Sequence, residues 1–229
     1  QGDTIIVNGI AKGAGMIRPN MATMLGFIVT NASISQEILE KLAFNAANQS
    51  FNRITIDGDT STNDSCMLIA SGESAHVINT LTDELYGLLE TAVLAGYREL
   101  AQAIVKDGEG ATKFVTIQVD AGANSHECLQ VAYAIAHSPL VKTALFASDP
   151  NWGRIVAALG NAGVTELNAE AVQLFLNDVL IVEQGGRANS FTEAAGQAVM
   201  DQDEIVLRIV LHRGDVSETL WTTDLSHEY

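Results

Sequence analysis

Apolar residues recur along this chain in two periods, one helical and one strand-like, separated by short clusters of turn formers. Ser33-Ile34-Ser35-Gln36 resembles a capping box, and Ile38, Leu39, Leu42, Ala43 and Ala46 follow at helical spacing, predicting a helix over residues 35–48. Leu85, Leu88, Leu89, Ala92, Val93, Leu100 and Ile104 line one side of a second helix over 82–105, with Gly108 as its stop. Residues 126–136 read as a third helix, and 169–176 have helical character. The strand signals are a short run at 4–7 followed by a turn at Gly9-Ile10, a continuous apolar run at 24–30 that fits a buried strand, and the alternating 114–119. Further strands are expected at 179–182, 204–212 and 220–225, with Gly185-Gly186 as a turn, while 155–160 is apolar and glycine-stopped. Alternating helices and strands predict an α/β chain of layered sheets and helices. No repeat, low-complexity tract or proline-rich linker marks an internal domain boundary.

Composition narrows the partners. At 229 residues and 47% hydrophobic, the chain can bury one large core or two small ones. Twelve basic against 28 acidic residues leave a net charge of −16, which repels phosphate backbones and anionic bilayers, so neither nucleic acid nor membrane is an expected partner. No window approaches the roughly 18–20 apolar residues of a membrane span, and no basic, apolar, small-residue leader opens the chain. Cys66 and Cys128 lack paired or metal-ligand spacing and read as reduced core thiols of a cytoplasmic protein. The first residue is Gln1, and strand-like sequence begins almost at once, so the chain is expected to start inside a larger protein.

The chemistry concentrates in Lys12-Gly13-Ala14-Gly15-Met16-Ile17-Arg18-Pro19-Asn20-Met21-Ala22-Thr23-Met24-Leu25. A threonine that becomes N-terminal carries its own base, because a free α-amine titrates at about 7.7–8.0, well below a lysine. Cleavage of the Ala22-Thr23 bond would therefore create a nucleophile at the start of the 24–30 strand, a rigid place to hold one. An Ala-Thr pair alone carries no information; its surroundings do.

Those surroundings resemble the self-cleavage region of the ornithine acetyltransferases, also called bifunctional glutamate N-acetyltransferases, at every fixed position of that family's motif. Three further blocks resemble the same family: residues 51–64, residues 106–113 and Asp149-Pro150-Asn151-Trp152-Gly153-Arg154. The resemblance covers nearly the whole chain. It implies the α/β fold shared with β-peptidyl aminopeptidases, with an N-terminal threonine nucleophile. It also implies that residues 1–22 end an α subunit and residues 23–229 form most of a β subunit, in an α2β2 assembly of the arginine-biosynthesis pathway. The implied reaction moves the acetyl group of N-acetylornithine, or of acetyl-CoA, to glutamate through an acetyl-threonine, with no cofactor. The family's Thr-Gly oxyanion hole lies upstream of this sequence, and its substrate-binding asparagine and threonine lie beyond the Asp224–Tyr229 block. The fragment alone is therefore expected to have little or no transferase activity. A hydrolase or aminopeptidase on the same architecture, and a non-catalytic acidic domain, are the competing readings.

By the same resemblance Lys12, Thr23 and Glu109 contact substrate and Thr23 is catalytic. An ammonium at Lys12 suits an α-carboxylate. Glu109 lies between Gly108 and Gly110, which let the backbone turn tightly, and it would bind the substrate amine or assist proton transfer. Asp57, Asp59, Ser61 and Asn63 alternate like the start of a calcium loop, but Thr62 and Leu68 stand where such a loop needs glycine and glutamate, so no metal is expected. A rigid turn is expected there, with Asn63 or Asp64 orienting groups at the site. Gly13 and Gly15 are expected to permit strained backbone at the cleavage turn. The Asp149–Arg154 block reads as a structural corner or subunit contact, and the five histidines are scattered without ligand spacing.

Overall fold

The computed structural model describes residues 4–18, 24–60 and 64–229. The chain forms two compact units, Gln1–Ile54 with Asp59–Asp107, and Thr55–Gly58 with Gly108–Tyr229.

The first unit contains β1 (Val7–Lys12), β2 (Leu25–Thr30), β3 (Ser33–Ile34), α1 (Gln36–Asn48), a 3-10 turn at Phe51–Arg53, β4 (Ser65–Ala70), β5 (Val77–Ile78) and α2 (Glu84–Lys106). β1, β2 and β4 form a sheet in that order, β1 antiparallel and β4 parallel to β2, and β3 pairs with β5. The helices α1 and α2 pack on one face of the three-stranded sheet. That is why the continuous apolar run of β2 is not buried throughout: Gly26, Ile28 and Thr30 are buried, whereas Val29 is 43% exposed on the open face. The opening strand also differs from the expected 4–7, because pairing with β2 begins at Val7 and runs through the predicted turn to Lys12.

Ser35 occupies the N-cap of α1, but its side chain makes no cap hydrogen bond; its backbone N–H instead donates to Ile78 O at 3.0 Å. In α2 the cap is Asp83, which accepts from Leu85 N at 2.9 Å. The buried stripe of α2 is rotated from the expected one. Tyr86, Leu89, Val93, Tyr97, Ala101 and Ile104 face the core and Leu88 is 69% exposed, because two tyrosines that a purely aliphatic pattern overlooks carry the packing. Tyr97 lies 5.5 Å from the Phe51 ring, centroid to centroid.

The second unit contains β6 (Phe114–Gly122), α3 (Ser125–Ala136), α4 (Pro139–Phe146), α5 (Trp152–Gly160), β7 (Gln173–Leu176), β8 (Val179–Glu183), β9 (Gly186–Arg187), α6 (Glu193–Met200), β10 (Glu204–Val210) and β11 (Val216–Thr223). Its six-stranded sheet runs β11-β6-β10-β7-β8-β9, with β6 and β10 parallel and the other neighbours antiparallel. Val115, Ile117, Val119, Leu207, Ile209 and Leu220 point from one face into a core closed by α3, α5 and α6. Full burial of each such side chain contributes about 1.5–3 kcal/mol. Residues 169–176 are not helical. Residues 173–176 form β7, since Leu174 and Leu176 bury between β10 and β8, and sheet pairing overrides the local helix propensity. The layered α/β arrangement is as expected.

Candidate active site

The parallel pairing of β2 with β4 brings their first residues together. Ser65 N donates to Met24 O at 3.0 Å, and Met24 N donates to Asp64 Oδ1 at 2.5 Å. A carboxylate thus holds the residue that follows Thr23 in the sequence. Its second oxygen, Oδ2, is buried and has no hydrogen-bond partner among the described residues. Burial pushes the Asp64 pKa up, opposed by the Met24 N–H. Leaving a buried carboxylate oxygen unpaired costs free energy, and such groups concentrate at working sites. Ala22 and Thr23 themselves lie outside the described residues, as do Ser61 and Asn63.

Lys12 is the last residue of β1 and pairs with Leu25, which in turn pairs with Ser65. The three share one cross-strand row, so the Lys12 side chain stands on the open face at the end of the sheet where β2 starts. Ile10, Val29, Met67 and Ile69 are exposed on the same face. The expectation of strained glycines is corrected: neither Gly13 nor Gly15 takes a left-handed φ. Gly13 is closely packed instead: a Cβ there would lie 3.0 Å from side-chain methyl groups of both Ile104 and Ile17.

Glu109 belongs to the second unit. Ala111 N donates to Gly108 O at 3.0 Å, closing a turn with Glu109 at its exposed corner, and Gly110 completes it at φ +65°. The chain end grips this turn. The buried Asp224 carboxylate accepts from Thr112 N at 2.8 Å, Thr112 Oγ1 at 2.5 Å and Lys113 N at 2.9 Å. Tyr229 OH donates to Asp57 Oδ2 at 2.9 Å, and Thr55 N donates to Trp221 O at 3.0 Å. Thus Thr55–Gly58, the Glu109 turn and the Asp224–Tyr229 block meet within one unit.

Beneath them lies Lys142, on α4 and 4% exposed, whose ammonium donates to Thr223 O at 2.5 Å and Thr222 Oγ1 at 3.1 Å. Burial pushes its pKa down to about 8, against the pull of Asp224 and Asp57. Neither pattern nor resemblance singles out Lys142, although Ser138-Pro139, an N-cap followed by proline at the first helical position, announces the helix that carries it. The Asp149–Arg154 block forms a corner: Asn151 caps α5 through Arg154 N at 3.3 Å, and the Arg154 guanidinium donates to Leu140 O at 2.9 Å and Thr143 Oγ1 at 3.2 Å.

Cys66 is partly buried, which pushes its thiol up to about 11, and Cys128 is fully buried; both are free. Among the described residues, no cluster of three His, Cys, Asp or Glu could hold a metal, and no helix is long and apolar enough to cross a membrane. A depression of about 450 Å³ on the open face of the six-stranded sheet, bordered by Phe114, Gln118, Val206 and Arg208, contains none of the expected site residues.

Comparisons with known proteins bear on this geometry. A family model described as the ArgJ family matches residues 1–229. The chain is 62% identical over 229 residues to a Pseudomonas fluorescens protein named arginine biosynthesis bifunctional protein ArgJ, and 61% identical to the protein of that name from Pseudomonas syringae pv. tomato. In both cases all of this chain aligns with 56% of the relative, so the chain spans about half the length of the curated relatives it matches. A crystal structure of arginine biosynthesis bifunctional protein ArgJ from Bacillus halodurans superposes with a TM-score of 0.85 at 36% identity, covering 90% of this chain and 97% of that one.

Proposed function

We propose a function from one premise: the chain belongs to the ArgJ family. It forms the threonine-bearing part of an acetyltransferase that moves the acetyl group of N-acetylornithine, or of acetyl-CoA, to glutamate in arginine biosynthesis. The observation that carries this reading is the match over every residue of the chain to relatives named as bifunctional arginine-biosynthesis proteins. The resemblance supplies the rest of the proposal: cleavage at Ala22-Thr23, an α subunit ending at residue 22, a β subunit from residue 23, and an α2β2 assembly in the cytoplasm. No cofactor takes part, and acetyl-CoA enters only as a second donor substrate.

In maturation the Thr23 hydroxyl oxygen attacks the Ala22 carbonyl carbon, the Ala22-Thr23 C–N bond breaks, and water hydrolyses the resulting ester. The product is a Thr23 with a free amine and a free hydroxyl. In turnover that amine takes the hydroxyl proton as the oxygen attacks the acetyl carbonyl of N-acetylornithine. The amide C–N bond breaks, and ornithine leaves with the proton. Glutamate's amine then attacks the acetyl ester, and the hydroxyl is restored. Lys12, at the end of β1, binds a substrate carboxylate, and Glu109, at its turn, receives a substrate amine. Asp64 holds the start of β2 through Met24 N, fixing the backbone directly after the nucleophile.

Initial rates of the full-length enzyme at varied N-acetylornithine and glutamate test the reading. A covalent relay gives parallel double-reciprocal lines and ornithine release that requires no glutamate to begin. Intersecting lines with no acetylated enzyme would overturn it, and steady ornithine release without glutamate would favour the hydrolase.

A further inference from the structure

We propose that the Asp224–Tyr229 block is a clasp that positions Glu109, with Asp224 as the positioning residue. This rests on the reading of Glu109 as a substrate-binding group. Glu109 sits at a turn corner with no rigid element of its own, so its direction is set by what grips the turn. Two grips are present. On one side, three donors from Thr112 and Lys113 converge on the Asp224 carboxylate at 2.8, 2.5 and 2.9 Å, fixing the chain three residues after Glu109. On the other, Gly110 presses against the same block so closely that a Cβ would lie 2.9 Å from Ser226 Oγ, 2.9 Å from Tyr229 N and 3.1 Å from Glu228 C. Glycine is therefore required at 110 twice over, for its φ of +65° and for the approach of the opposing backbone.

The block is itself anchored. Asp224 is 3% exposed, Lys142 Nζ holds the carbonyl of Thr223 at 2.5 Å, and Tyr229 OH reaches Asp57. A carboxylate is well suited to the role because its charge strengthens all three bonds; an amide of the same shape keeps one oxygen for the two backbone N–H groups but is neutral and makes the Thr112 hydroxyl turn from donor to acceptor. The Asp224–Tyr229 segment thus fixes the backbone from which the exposed Glu109 side chain leaves, and so the side on which its carboxylate is presented.

The test is a double-mutant cycle in the full-length enzyme with Asp224→Asn, Gly110→Ala and Glu109→Gln, reading kcat and KM for glutamate separately, with far-UV circular dichroism confirming the fold. Asp224→Asn and Gly110→Ala are each expected to lower kcat/KM by about tenfold in the presence of Glu109 and by less than about twofold in Glu109→Gln, since both act through the same carboxylate. Should Asp224→Asn fail to fold, Gly110→Ala carries the same cycle. Full, additive losses in the Glu109→Gln background would overturn the positioning role while leaving the functional reading intact. Wild-type kinetics in Glu109→Gln itself would overturn both.

Discussion

Lys142 gives the account a quantitative test that needs no substrate. Its ammonium is buried and its folded-state pKa lies at about 8, against an ordinary 10.5. A lysine whose pKa falls on folding binds fewer protons in the native than in the unfolded state between those two values. Its charge therefore costs the fold stability below the folded pKa, and that cost is relieved as pH rises from about 8 toward 10.5. Working the two binding equilibria through, the contribution improves by about 2 kcal/mol between about pH 7 and about pH 9.5. Lys142→Met removes the titration and keeps most of the side-chain volume. The assay is urea unfolding of the 229-residue chain followed by tryptophan fluorescence, which reports the unit holding Lys142, since Trp152 and Trp221 both lie there. Thiols and tyrosines also titrate in this range, Cys66 among them at about 11, but they are common to both proteins and cancel in the difference. The stability of the wild type relative to Lys142→Met should rise by about 2 kcal/mol across the range. A difference that is flat, or that falls with pH, would refute the buried ammonium.

Three further outcomes follow from particular contacts. A Cβ at Gly122 would collide with the Cys128 Sγ, so Gly122→Ala should destabilise the chain by about 1–3 kcal/mol in urea, and Cys128→Ala in the same chain should recover most of that loss; no recovery would mean the backbone, not the thiol, sets the limit. Asp64→Ala frees Met24 N at the start of β2 and should slow appearance of the Thr23 N-terminus about tenfold by timed gel analysis of full-length precursor, whereas an unchanged rate would remove Asp64 from the account. Thr23→Ser should still cleave and Thr23→Ala should not; cleavage of the alanine variant would exclude the hydroxyl as the attacking group.

How much of this was legible beforehand depended on whether the signal was local. The periodic stripes of α1 and α2 and the alternation of β6 located those elements closely, because each is a pattern within a few residues. β4 carries a weak local signal, because Ser65-Cys66-Met67-Leu68-Ile69-Ala70 follows directly on a turn-rich stretch and does not alternate cleanly. The residues of β7 suggest helix by themselves, because its state is decided by pairing with β8 and β10. At the site, Lys12, Thr23 and Glu109 came from resemblance. No local pattern could have shown that Asp224 reaches back to Thr112, 112 residues earlier, or that Lys142 is buried against Thr222 and Thr223. Such pairings exist only once the sheet has formed, and they tie Asp224–Tyr229 to the turn that carries Glu109.

The central claim is that Thr23 becomes N-terminal and carries the acetyl group. The intact mass of the full-length protein, taken under denaturing conditions before and after brief exposure to N-acetylornithine, tests it most directly. The account predicts two polypeptides that sum to the precursor plus one water, broken at Ala22-Thr23, the C-terminal one gaining a single acetyl group located on Thr23. A single unbroken mass, or an acetyl group on any other residue, would contradict it.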